Sequence, residues 1–230
     1  MTTRTHDPPC RPLDSERQVS VHSVDVRRLA RDERADLAAF LTTLTPQQWQ
    51  APTLCTRWRV RDVVAHIISY DDLGARALLA VAARARFRPG RINDAALTRY
   101  GQHTPEQLLA LLTGNLQPRG QPAALGGRAG LVETLIHHQD IRRALGQPRA
   151  IPAGRLGPAL HTALIAPDIA RLWPLRGVRL VATDVRFSFG AGPPAEGPAE
   201  ALLMTIAGRP GVISELSGPG QAKLTARLGG

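Results

Sequence analysis

Apolar positions recur at close to helical spacing from Val26 onward, through Leu29, Ala30, Leu37, Phe40, Leu41 and Leu44, and one charged residue, Glu33, falls on the same stripe. This pattern predicts a first amphipathic helix. Thr45, Pro46 and Gln48 then supply a cap, a proline at the first helical position and a reciprocal glutamine, which start a short helical turn ending near Trp49. The same device, Thr104, Pro105 and Gln107, opens a further helix over residues 106–112. Between the two, Val60, Val63, Val64, Ile67 and Ile68 belong to a long helix predicted over residues 58–83. Another spans 129–145 and is stopped by Gly146 and Pro148. Four helices with short or medium connections imply an antiparallel bundle, a layout that places functional side chains between helices.

Beyond Pro148 the pattern changes. Residues 155–166 suit one more helix, after which Val178, Leu180 and Ala182 alternate with polar residues, as do Val185, Phe187 and Phe189. These are two strands or one bent strand. Residues 190–198 are rich in glycine and proline and read as a turn region, and Pro198 opens a helix over 199–207 that Gly208 closes. The expected fold class is α+β: a flexible tail over 1–22, a helical bundle over 23–150 and a small α+β domain over 151–230.

No run approaches the ~18 consecutive apolar residues of a membrane span, and the N-terminal stretch has no apolar signal core. A cytoplasmic protein without a membrane partner is expected. Cys10 and Cys55 are too few for a disulfide framework. The formal charge of +10 points to an anionic partner, yet of 29 basic residues only Lys223 is a lysine, and Ala, Gly, Pro and Arg abound, the bias a GC-rich genome imposes. The densest basic run, Arg84, Arg86, Arg88 and Arg91, lacks interleaved aromatics and reads as a solvated loop, so nucleic acid is not an expected partner.

Candidate chemistry lies on the helix over 129–145, where Glu133, His137 and Asp140, spaced by four and three residues, share one stripe. A carboxylate and an imidazole one turn apart suit a divalent ion, and equally a mutually hydrogen-bonded pair on a helix surface. His66 borders the apolar face of its helix, either as a core histidine or as a third donor from a facing helix. His138 points about 100° away from His137. Asp140 either orients a ligand histidine or pairs with Arg142 or Arg143, and Cys55, beside Leu54 and Trp58, reads as a small buried thiol.

Residues 58–67, WRVRDVVAHI, preceded by TPQQW and PTLC, together with ETLIHHQDIRRALG at 133–146, resemble the DinB-like metal-binding bundle of the mycothiol-dependent maleylpyruvate isomerase family. GVRLVATD, FGAGPPAEGPAEALLMTIAGR and ELSGPG resemble that family's C-terminal domain. The resemblance implies a divalent metal, usually zinc, held by His66, Glu133 and His137. It further implies a thiol cofactor, mycothiol or a similar low-molecular-weight thiol, as nucleophile on a small electrophilic or anionic substrate, in isomerisation or S-transfer. Arg209 is carried over as a catalytic residue that binds an anionic group of substrate or cofactor. The chain departs from the family pattern at Thr56-Arg57, where many relatives have Pro-Gly, and at His138, where a glycine is common. An imidazole there is expected beside the cofactor pocket. The alternative is a non-catalytic module that keeps the bundle and binds a small molecule or a protein.

Overall fold

The computed structural model describes residues 25–71, 97–166 and 172–229. The tail over 1–22, residues 72–83 of the helix predicted over 58–83 and the arginine run at 84–91 lie outside the described residues, and within them that helix already ends at Ser69, capped by Tyr70.

Helix α1 (Val26–Leu41) starts at Asp25, whose carboxylate accepts the N–H groups of Arg27 and Arg28. It stops at Leu41 rather than at Leu44. Helix α2 (Pro46–Trp49) and helix α4 (Pro105–Gly114) begin with the capping boxes read from Thr45/Gln48 and Thr104/Gln107. Helix α3 (Val60–Ser69) lies between them in the chain. A 3₁₀ segment, Gln121–Gly127, leads into helix α5 (Arg128–Ala144). Both α5 and α4 pack on α1 and on α3, which closes a four-helix arrangement. The approach of the 3₁₀ segment to α5 requires Gly130, since a Cβ there would lie 2.8 Å from the Pro122 carbonyl.

The C-terminal part holds α6 (Ala153–Ile165), the short α7 (Leu172–Leu175), strands β1 (Arg179–Ala182), β2 (Ser188–Phe189) and β3 (Pro194–Gly197), and helices α8 (Ala199–Ile206) and α9 (Pro219–Leu228). The fold class is α+β, with one three-stranded sheet in the order β2-β1-β3 among the described residues. β2 runs antiparallel and β3 parallel to β1. The region expected as a glycine- and proline-rich turn therefore contains a strand. Pro194 turns its ring nitrogen away from β1, so its missing N–H costs no bond to that strand. Gly197 leaves room for Leu216, whose Cδ2 would be 2.7 Å from an added Cβ. Helix α9 had no counterpart among the predicted elements.

Among the described residues the apolar side chains form two cores. One joins Val26 and Ala30 of α1 and Leu131 to Ile136 of α5 to the sheet and to α6 and α8, while the other joins Leu37 to Leu41 of α1 and Ile141 of α5 to α2, α3 and α4. Both α1 and α5 thus belong to both cores, and burial is continuous across residue 150. No helix among the described residues is long and apolar enough to cross a membrane.

Candidate metal centre

The stripe on α5 meets His66 of α3. His66 Nε2 lies 3.1 Å from Glu133 Oε1, and the His66 and His137 rings meet edge to face with centroids 4.9 Å apart. One donor atom from each of His66, Glu133 and His137 lies within 4.8 Å of the others. His66 is 6% and His137 9% exposed. The Trp58 ring covers both, 4.6 Å from His66 and 6.0 Å from His137, and Tyr70 meets His66 edge-on at 5.3 Å. Two imidazoles and a carboxylate match the three-ligand sets of catalytic zinc sites, which keep a position open.

Local electrostatics suit such a set. Burial opposes ionisation of Glu133, yet the hydrogen bond and charge of His66 and the charges of His137 and Arg34 hold its carboxyl below the usual range. Burial, together with the charges of His66 and Arg209, keeps His137 below the ordinary imidazole value despite Asp140, so it is the neutral donor a cation needs. Beneath the site Arg34 pairs with Asp71 at 2.7 Å and donates to the Asn115 carbonyl, both ionic partners being buried. Nothing in the local pattern around Arg34 or Asp71 announced this pair.

Asp140 faces the other edge of His137. Its Oδ2 is 3.0 Å from His137 Nδ1 and accepts from Arg209 Nη2 at 2.6 Å, while Oδ1 accepts from Arg209 Nε at 2.9 Å. Its partner is therefore Arg209, and neither Arg142 nor Arg143, because Arg143 binds Glu200 and Glu215 and Arg142 lies over Phe40. The Cys55 thiol donates to Asp140 Oδ2 at 3.0 Å and accepts from Arg209 Nη2 at 3.3 Å. Burial, then the charge of Asp140, push that thiol up to about 12, so it is a neutral wall group and not a nucleophile at neutral pH. Cys55, His137 and Asp140 also approach one another closely enough for a cation, but the Arg209 guanidinium already supplies positive charge there.

Two expected site residues are engaged elsewhere. Arg209 was expected to hold a carboxylate of substrate or cofactor, but its Nε and Nη2 hold Asp140 and its Nη1 donates to the Ala207 carbonyl at 2.6 Å. His138 was expected beside the cofactor pocket, and it turns into the packing between α1 and α5. It is 0% exposed, with Nδ1 2.9 Å from Glu33 Oε1 and Nε2 accepting from Arg142 Nε at 2.8 Å. The rotation of about 100° per residue that separates it from His137 is the physical reason.

Comparison with known proteins bears on the same region. Residues 30–119 match the family model described as the mycothiol maleylpyruvate isomerase N-terminal domain, a segment that includes His66 and ends before Glu133 and His137. No curated protein sequence is significantly similar to the chain. A crystal structure of the mycothiol-dependent maleylpyruvate isomerase aligns with a TM-score of 0.52 at 14% identity, covering 84% of this chain and 91% of that one. A histidine-to-alanine mutant of that isomerase aligns over the same shares with a TM-score of 0.50, also at 14% identity. Residues 30–119 are thus similar to that family's N-terminal domain, and over most of its length the chain carries the fold of these isomerase structures.

Proposed function

We propose that this protein is a divalent-metal-dependent enzyme that uses a mycothiol-like thiol on a small electrophilic or anionic substrate. The observation that carries this reading is the convergence of His66, Glu133 and His137 from two helices at one buried point. The family of the N-terminal domain supports it. A divalent ion, most simply zinc, supplies Lewis acidity that keeps a thiol sulfur deprotonated at neutral pH. His66 and His137 would provide nitrogen donors and Glu133 a negative charge, while the Trp58 and Tyr70 rings lie against the histidine faces.

The reaction class follows from thiolate chemistry. If bound, such a thiol would supply a sulfur nucleophile able to add to a double bond conjugated to a carbonyl: bond rotation and loss of the same thiolate would isomerise the substrate, and addition completed by a proton on the carbon beside the carbonyl would give S-transfer. His66, Glu133 and His137 are the residues that would hold the ion facing that sulfur.

Purified protein is expected to hold about one divalent ion per chain by elemental analysis, since three ligands define one site. His66→Ala and His137→Ala should each lose most of it, together with thiol consumption in the presence of an activated alkene. Unchanged metal content in both variants overturns the centre. Full metal content without thiol consumption or isomerisation overturns the chemistry.

A further inference from the structure

His66 and His137 are supported very differently. His66 Nδ1 is buried and has no hydrogen-bond partner among the described residues, whereas His137 Nδ1 faces a carboxylate that is itself held by three further hydrogen bonds. The 3.0 Å approach of Asp140 Oδ2 makes Nδ1 the donor nitrogen of His137, since a carboxylate oxygen accepts. Nε2 then carries the lone pair, and it is the atom left for the cluster with His66 and Glu133. Asp140 receives His137, both donors of the Arg209 fork and the Cys55 thiol, and its side chain is wholly buried. A carboxylate so saturated has no capacity for a substrate group.

Resting on the proposed metal centre, we infer that Asp140 is the positioning residue of that centre and that Arg209 acts on the chemistry through Asp140 rather than by touching substrate. The sequence places Arg209 in the C-terminal part of the chain, and the structure shows why it reaches the centre. Its backbone N–H bonds the Met204 carbonyl at 2.9 Å at the end of α8, and its Nη1 holds the Ala207 carbonyl, so the guanidinium is fixed before it meets Asp140. The Leu54 N–H donates to the Asp140 main-chain carbonyl at 3.2 Å and fixes the same residue from the α2–α3 connection. Partners that orient a ligating imidazole typically change metal affinity about 10- to 100-fold when removed. A residue that only binds substrate leaves metal affinity alone.

The test uses the full chain and zinc ion as the probe, with affinity measured by chelator competition. Asp140→Asn, which keeps the shape, is expected to weaken zinc binding about 10- to 100-fold, Arg209→Ala about 10-fold, and Arg209→Lys less. Imidazole ¹⁵N shifts of the metal-free protein give an independent readout that packing does not move. The parent should show His137 protonated on Nδ1, and Asp140→Asn should shift it towards the Nε2 tautomer. Unchanged zinc affinity in Asp140→Asn and Arg209→Ala, with His66→Ala and His137→Ala defective, overturns the positioning role and leaves the centre standing. Parental zinc affinity in the two histidine variants overturns the centre itself. An Asp140→Asn chain with a parental melting temperature and an unmoved tautomer overturns the inference even where affinity falls.

Discussion

His137 and His138 are neighbours on one helix, each with Nδ1 about 3 Å from a carboxylate, Asp140 at 3.0 Å and Glu33 at 2.9 Å. Their other nitrogens differ. The Nε2 lone pair of His138 is taken by Arg142, and the residue has no exposed surface, whereas His137 keeps a ring nitrogen within 4.8 Å of donor atoms of His66 and Glu133. Around His138, Glu33 also binds Arg155 at 2.7 Å and Arg149, so one acid on the apolar stripe of α1 serves three cationic or polar partners. The contrast teaches that a histidine becomes a candidate ligand through the second nitrogen, since a carboxylate on the first is common to both. Both pairs also come from matching logic: each buried acid is answered from distant parts of the chain.

The sharpest way to break this contrast is to empty one side of it. Glu33→Ala leaves Arg149, Arg155 and His138 without their buried acid and should cost about 3–5 kcal/mol in urea unfolding. Zinc binding by the folded fraction should stay parental, because the loss falls on the His138 side. A cost under about 1 kcal/mol would show that solvent reaches the three partners after all.

Titration sharpens the same comparison in metal-free protein. Burial, against the pull of Asp140 and Glu33, sets both imidazoles below their ordinary 6.5, so the unfolded chain takes up protons first as pH falls. Stability is therefore complete above 6.5 and declines below it, by up to about 1.4 kcal/mol per pH unit for each proton. His138→Gln should flatten that decline by one proton, read from urea midpoints between pH 7.5 and 5. The Glu33 contribution behaves with the opposite group but the same direction. Its carboxyl, opposed by burial and lowered by His138 and Arg149, is stabilising above 4.5 and loses that effect as pH falls beneath it. A profile unaltered by His138→Gln would mean that His138 titrates alike in the folded and the unfolded chain, contrary to its burial.

The smallest expected effect is at Phe40, whose ring lies 3.9 Å beneath the Arg142 guanidinium carbon and 5.7 Å from His138. Phe40→Leu removes that face and should cost about 1 kcal/mol with zinc affinity unchanged. Any change in zinc affinity would couple the two histidines that the structure separates.

Much of the bundle was legible because its signals are local. The capping boxes at Thr45 and Thr104, the end of α5 near Gly146 and the Glu133–His137 stripe all depend on residues a turn or less apart. The angle between His137 and His138 was legible for the same reason. What escaped depends on partners set by packing. Glu33 read as an exception on an apolar stripe because Arg149 and Arg155 follow it by more than a hundred residues. The bond from Arg209 to Asp140 gives no local pattern, and β3 was masked by Pro194 and Gly197, which an edge strand accepts and a central one does not.

The Cys55–Arg209 contact joins positions 154 residues apart, and Arg209 follows Asp140 by 69. During synthesis at ~5–20 residues per second, Arg209 is added roughly 3–14 s after Asp140. For that interval α5 is complete in sequence while its acid lacks the guanidinium. Loop closure of this length is slow compared with helix formation, so the helices assemble first and the buttress of His137 arrives late. On the proposed metal centre, a growing chain would therefore meet its ion before Asp140 has its guanidinium, and a segment made late would complete the ligand geometry.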